Sequence, residues 1–272
     1  MAEIVVAGKY AKCVKTGFRA ALEYRANFFM SLAGAVAPVV IQTALWIVLY
    51  GDDPAASFFG FTFPQMVAYT VIAQLVSRLV RTGFEYDVNW EIKTGSLDRY
   101  LVKPIGYFGY RLFSFVGDKL VQTVFMGFFL VVAVVVLTLA LGFSASLASV
   151  SLFLLALVMA FVLNFLIFWC VALVGFWLTE IGYLFEAVRI VIIAVSGGVL
   201  PLAVFGPRAS RVLSLLPFRF TIQFPTEVLS SRVRTGDLLP SFALAVLWAL
   251  ALALLGQFVW ARGIRRFAAV GS

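Results

Sequence analysis

The feature that most constrains this chain is a gap in its charge. From Leu120 to Thr179, 60 consecutive residues include no Asp, Glu, Lys or Arg. A helix crosses a bilayer with roughly 20 apolar residues. The run is too long for one crossing and predicts two, folded back at the softer stretch Leu141-Gly142-Phe143-Ser144-Ala145-Ser146. Strands of a membrane barrel would alternate apolar and polar residues over about 10 positions, and these residues do not. Further uncharged windows span Phe28–Tyr50, Pro54–Ser77, Ile190–Pro207 and Leu238–Ala261. Only 12% of residues are charged and 63% are hydrophobic, whereas soluble domains carry about 25% charged residues. The sequence reads as an all-α integral membrane protein with six transmembrane helices, near 28–50, 62–82, 114–141, 149–177, 184–205 and 239–261.

Residues 8–26 form a different pattern. Tyr10, Val14, Phe18 and Leu22 recur every four residues, while Lys12, Lys15, Arg19 and Glu23 occupy the other face. A basic face opposite an aromatic-bearing apolar face predicts an amphipathic helix lying in the membrane interface. The segment lacks the uninterrupted apolar core of a signal peptide, so the first span is expected to serve as the insertion signal. Basic residues accumulate on cytoplasmic flanks. With six spans, 16 Lys and Arg fall on the side of the termini and five (Arg208, Arg211, Arg219, Arg232 and Arg234) on the other. Both termini are therefore expected in the cytoplasm. The net charge of +8 then reports topology and contact with anionic lipid rather than nucleic-acid binding. Cys13 and Cys170 fall in environments too different to predict a disulfide.

The outer connections, opening at Gly51-Asp52-Asp53-Pro54 and over 142–148, are short except for the last. Residues 206–240 hold apolar pieces too short to span and interrupted by Pro217 and Pro225. That pattern suits a re-entrant or interfacial segment, with Pro217, Phe218, Arg219, Phe224, Pro225 and Glu227 at its centre. Within the fifth span, Gly197, Gly198 and Pro201 predict a kink or hinge, because proline removes a helix hydrogen bond and clashes with the preceding turn.

No catalytic constellation is present. The chain has no His, which removes Ser-His-Asp and Cys-His arrangements and histidine metal sites. The phosphate-loop pattern G-x-x-x-x-G-K-[ST] is absent too. No catalytic or metal site is expected. Glu180, Glu186 and Arg189 gather at the cytosolic end between spans four and five, with Glu186 and Arg189 spaced as a local ion pair. The deep polar residues Gln42, Gln74, Gln122 and Asn164 are neutral and predict bonds between helices. Spans without embedded carboxylates disfavour a proton- or sodium-driven carrier.

The stretch "EIKTGSLDRYLVKPIG", residues 91–106, stands apart from this apolar background. Arg81 and Glu85 are spaced i, i+4, so the second helix is expected to run on into the loop until Gly95 ends it. Ser96 then caps a short helix, Leu97-Asp98-Arg99-Tyr100-Leu101, stopped at Lys103-Pro104. Its apolar contacts would be Leu97, Tyr100 and Leu101.

In three passages the chain resembles the ABC-2-type permease subunits of ATP-binding-cassette exporters, in the branch with paired permeases beside a separate ATPase. "EIKTGSLDRYLVKP" is similar to that family's I-x-x-G-x-L-D-x-x-L-x-K-P stretch, and "LPFRFTIQFPTEVL" to its L-P-F…F-P-x-E stretch. The third is the layout of amphipathic arm, six spans and re-entrant segment. The resemblance implies a cytosolic connecting helix at 1–27 and a transmembrane domain at 28–272, with a coupling loop at 84–110. Ser96, Leu97, Asp98, Arg99, Tyr100, Leu101, Lys103 and Pro104 would seat on a cytosolic ATPase. ATP and Mg would belong to that partner, and this chain would be a non-catalytic subunit in a bacterial plasma membrane. A second permease subunit, a paralogue rather than a second copy, would share a pathway lined by spans one, two and five. ATP binding would drive alternating access. The apolar walls favour amphiphiles as cargo. A scaffold that carries nothing, and a secondary carrier, are the alternatives.

Overall fold

Backbone in a bilayer can satisfy its own N–H and C=O groups only as helix or closed barrel, and these apolar runs fold as helices. The computed structural model describes residues 2–23, 25–51, 56–178 and 181–270. Asp52, Asp53, Pro54 and Glu180 lie outside them. Helices α1 (Ala2–Glu23) and α2 (Arg25–Tyr50) lead to a small antiparallel hairpin, β1 (Ser57–Phe58) and β2 (Phe61–Thr62), with Ser57 opposite Thr62. After it come α3 (Phe63–Val80), α4 (Phe84–Lys93), α5 (Asp98–Leu101), α6 (Tyr107–Leu141) and α7 (Leu147–Ala172). A 3-10 turn continues α7 to Phe176; α8 (Gly182–Val195), α9 (Gly206–Leu215), α10 (Gln223–Leu229) and α11 (Thr235–Val270) complete the chain.

The fold-back in the long uncharged run falls where expected. Gly142 takes a left-handed φ of +66°, and its N–H reaches the Thr138 carbonyl at 3.0 Å, closing α6. Ser146 opens α7, its hydroxyl accepting from the Ser149 N–H at 3.0 Å. Among the described residues three helices are long and apolar enough to cross a membrane: Tyr107–Leu141, Leu147–Phe176 and Thr235–Phe267. The other expected crossings rest on shorter pieces, namely Val36–Tyr50 within α2, the 18 residues of α3 and the 14 of α8.

Two expectations about helix continuity are corrected. The fifth span does not run from 184 to 205. Its helix stops at Val195, after about 21 Å of rise against a hydrocarbon core of about 30 Å. Gly197, at φ +81°, turns the chain where Pro201 would have obstructed a continuing helix. Nor does α3 run on into the polar loop. It ends at Val80, and Arg81-Thr82-Gly83 separates it from α4. Arg81 adopts an extended conformation, and side chains from three other helices claim the carbonyls thereby released.

α7 is apolar around its whole circumference and lies at the centre, as that pattern requires. Toward the hairpin its Phe153, Ala160 and Leu163 join Met66, Tyr69, Ile72, Phe220 and Phe224 in one core. Toward α4, Phe165, Trp169 and Leu173 join Val88, Leu97 and Phe185 in another. α6 and α11 keep much of their apolar surface outward, as helices facing lipid do. α1 packs along α6 at very short range. A Cβ on Gly17 would fall 2.0 Å from the Ser114 carbonyl oxygen, and one on Gly117 would fall 2.0 Å from that of Val14. Only a glycine pair allows backbones so close. The face of α1 that is buried carries Cys13 and Gly17, whereas Phe18 and Leu22 of the expected apolar stripe are exposed.

Candidate functional site

The loop expected to act in water is built as a rigid corner. Thr94 closes α4, with its N–H on the Trp90 carbonyl at 2.9 Å, and Gly95 follows at φ +73°. Ser96 does not cap the next helix. Its hydroxyl lies 2.9 Å from that of Thr94, and the residue preceding α5 is Leu97, whose N–H returns to the Glu91 carbonyl at 3.1 Å. Leu97 is not offered outward either; it is 0% exposed, within the core of Val88, Ile92 and Tyr107. An apolar residue next to a glycine turn is drawn under the loop because burial removes its area from water. Tyr100 is half-buried, its ring 5.0 Å from that of Tyr110 and 5.5 Å from that of Tyr107, with the Lys103 ammonium 4.2 Å above it. Burial, helped by the Glu91 carboxylate, holds the Tyr100 phenol above its ordinary pKa. The exposed surface is therefore Trp90, Leu101 and Val102, the last 84% exposed, among Asp98, Arg99, Lys103 and Pro104.

Two buried ion pairs fasten α4. Near its C-terminal end, Arg111 of α6 meets Glu91 at 2.5 Å and Asp87 at 3.1 Å, and Tyr107 donates to the same Glu91. At its N-terminal end, Arg189 of α8 meets Glu85 at 2.5 Å. Glu85 is fully buried, and the Arg189 guanidinium lies 4.9 Å from the centre of the Phe168 ring. The anticipated Glu186–Arg189 contact exists, at 3.6 Å, but Glu85 is the nearer partner. Arg81 faces Glu186 at 4.0 Å rather than pairing with Glu85. Tyr86 also donates to Glu186, and burial raises its phenol pKa. One short helix thus ties α6 to α8 and bears the exposed apolar patch at its far end.

The break after α8 is equally well satisfied. The Gly197 carbonyl accepts from the Tyr69 hydroxyl at 2.6 Å and the Gly198 carbonyl from the Gln74 amide at 3.1 Å. The Gln223 N–H donates to the Ser196 carbonyl at 3.0 Å, and the Gln223 side-chain oxygen accepts from the Leu202 N–H at 3.0 Å. Gly197, Gly198 and Pro201 are all buried. Pro217, Phe224 and Pro225 are buried in the insertion, where Phe224 meets Phe220 and Phe242 edge-on. Phe218 packs toward Phe168 and Ile192, and Arg219 reaches Glu227 at 3.0 Å.

Between α2, α3, α7 and α8 lies a cavity of about 280 Å³. Its walls include Val80, Phe168, Ile192, Ile193, Val199 and Ile222, and its polar lining Gln42, Gln74, Ser77, Arg78, Arg81, Asn164 and Arg189. The amides behave largely as expected of helix-bridging groups. Gln74 serves the break, Asn164 donates to the Val80 carbonyl, and Gln122 bonds Lys119 and Asp118 on its own helix. The buried Gln42 side-chain oxygen alone of these has no partner.

Residues 36–271 match the family described as ABC-2 family transporter protein. The chain belongs to that family. No curated protein is similar enough to add to this. As an ABC-2 transporter-family membrane protein, it carries its exposed patch on α4 and α5 and its cavity against α8. Glu85, whose pair with Arg189 joins α4 to the cavity wall, was read from sequence as a partner of Arg81, and Asp87, Glu91 and Arg111, which fasten α4 to α6, were not singled out by sequence. The i, i+4 spacing of Asp87 and Glu91 on one face of α4 was the available signal.

Proposed function

We propose that this chain is the permease subunit of an ATP-driven exporter that moves an amphiphilic or hydrophobic substrate by alternating access. A separate cytosolic ATPase binds ATP and Mg and carries out the hydrolysis, and this subunit performs none. The observation that carries the reading is the mounting of the α4–α5 corner. An exposed apolar patch of Trp90, Leu101 and Val102 is the surface a partner would grip. The helix behind it is fastened to α6 and α8 by buried ion pairs, so displacement of the patch is transmitted to the wall of the cavity.

On this reading the α4 end of the molecule and both termini face the bacterial cytoplasm, and α1 is a connecting helix against α6. The six crossings include α2, α3 and the broken α8, with 206–240 re-entering from outside. The 197–201 break is the flexing point as α8 follows α4. A second permease subunit, a paralogue, closes the pathway along α2, α3 and α8.

The test is co-purification. Trp90→Asp with Val102→Asp should leave the isolated chain folded and remove the ATPase from the purified complex. Full ATPase recovery with the double variant would refute the docking assignment. Leu97→Asp is a different experiment, since it buries a carboxylate in the core and should lower the melting temperature of the chain itself.

A further inference from the structure

The cavity has a charge imbalance. Arg78, Arg81 and Arg189 face it, while two nearby carboxylates are already engaged. Glu85 is taken by Arg189 at 2.5 Å, and Glu186 is shared by Arg189 at 3.6 Å and Arg81 at 4.0 Å. Arg78 bonds the Gly34 carbonyl at 2.9 Å, and among the described residues no carboxylate lies within ion-pair distance of it. A guanidinium with one hydrogen bond to protein retains donors for a ligand, and its fork matches carboxylate or phosphate geometry. Across the same cavity the Gln42 side-chain oxygen is buried without a donor. Leaving such an acceptor unsatisfied is costly, so a matching ligand supplies a hydroxyl or N–H there. Val80, Phe168, Ile192, Ile193, Val199 and Ile222 supply the apolar part of the wall. A volume of about 280 Å³ lies at the lower edge of the roughly 300–1,000 Å³ typical of ligand pockets. It accommodates a headgroup and the first carbons of a chain, not a whole lipid.

From these three features we infer that the cavity binds an amphiphile whose headgroup is anionic and carries a hydrogen-bond donor. The anion meets Arg78, the donor meets Gln42, and the chain leaves along the apolar wall. This deepens the export reading by naming a substrate class, but binding does not depend on the ATPase.

Native mass spectrometry of the full chain in a neutral detergent tests it, with dioleoyl phosphatidylglycerol as probe. The comparisons are dioleoyl phosphatidylcholine, of equal chains but no net charge or hydroxyl, and free glycerol phosphate, which has no chains. Phosphatidylglycerol should bind about tenfold more tightly than phosphatidylcholine, the worth of a charge-assisted hydrogen bond. Arg78→Gln should erase that preference, Arg78→Lys should keep most of it, and Gln42→Leu should reduce it about threefold through one lost neutral hydrogen bond. Replacing the exposed tail residues Arg265 and Arg266 with Gln should change nothing, which separates the cavity from general attraction of basic surfaces. Equal binding of the two lipids, or an unchanged preference in Arg78→Gln, overturns the inference. Free glycerol phosphate binding as tightly as the lipid overturns its amphiphile component. Failure of any ATPase to co-purify with the wild-type chain, with the lipid preference intact, would sink the export reading and leave this one standing.

Discussion

The chain leaves helical geometry at 81–83 and again at 196–201, and the two breaks are secured by different chemistry. At the first, the carbonyls of Val80, Arg81 and Thr82 accept from Asn164, Lys119 and Arg189. Two of those donors are cations. At the second, the carbonyls of Ser196, Gly197 and Gly198 accept from the Gln223 backbone, Tyr69 and Gln74, all neutral. Hydrogen bonds from ionised donors are roughly twice as strong as neutral ones. The first break is a braced corner. The second rests on neutral partners, whose individual bonds are each worth only about 1 kcal/mol net, and on the reading proposed above it is the one that would flex.

The sharpest way to break this contrast is Arg189→Ala. It leaves Glu85 buried without its counter-ion, which costs about 3–5 kcal/mol. The variant should lose its cooperative melt in detergent, and Glu85→Leu with Arg189→Met should recover most of it. A near-normal melt of Arg189→Ala would show that the corner is not held by charge. Next in size is Gly197→Ala. The new Cβ would fall 2.5 Å from the Gln223 side-chain oxygen and 2.6 Å from the Tyr69 hydroxyl, at a φ of +81°. Strain of this kind costs about 1–3 kcal/mol, read as a clear downward shift of the melting temperature. Tyr69→Phe removes one neutral bond from the same break and should cost about 1 kcal/mol. A measured loss for Tyr69→Phe as large as that for Arg189→Ala would erase the distinction between the breaks. The smallest effect belongs to Val102→Asp on the exposed patch, within about 0.5 kcal/mol of the parent by the same melt.

Much of this architecture was legible because it is local. Gly142 and Ser146 announced the turn between α6 and α7, and Gly197, Gly198 and Pro201 announced the interruption after α8, since each acts on its own backbone. What was misread needed a neighbour far along the chain. Arg81 and Glu85 have ideal spacing for a helical pair, yet no helix connects them, because Lys119 and Arg189 stabilise the carbonyls of an unwound segment. Glu85 pairs instead across 104 residues. Leu97 looked like an outward contact because its partners in the core, Tyr107 and Trp169 among them, come from other helices. The cavity's arginines were not read as a group: Arg78 and Arg81 sit at the end of α3, where sequence alone reads them as flanking charges, and Arg189, within α8, was read only as the local partner of Glu186.

The glycine contact between α1 and α6 bears on how the protein is made. Gly17 and Gly117 admit each other's backbones, so α1 has a tailored seat, but that seat emerges from the ribosome some hundred residues after α1 itself. α1 therefore has no seat until α6 has been synthesised. Its docking waits on a helix that lies beyond α2, α3, α4 and α5 in the chain.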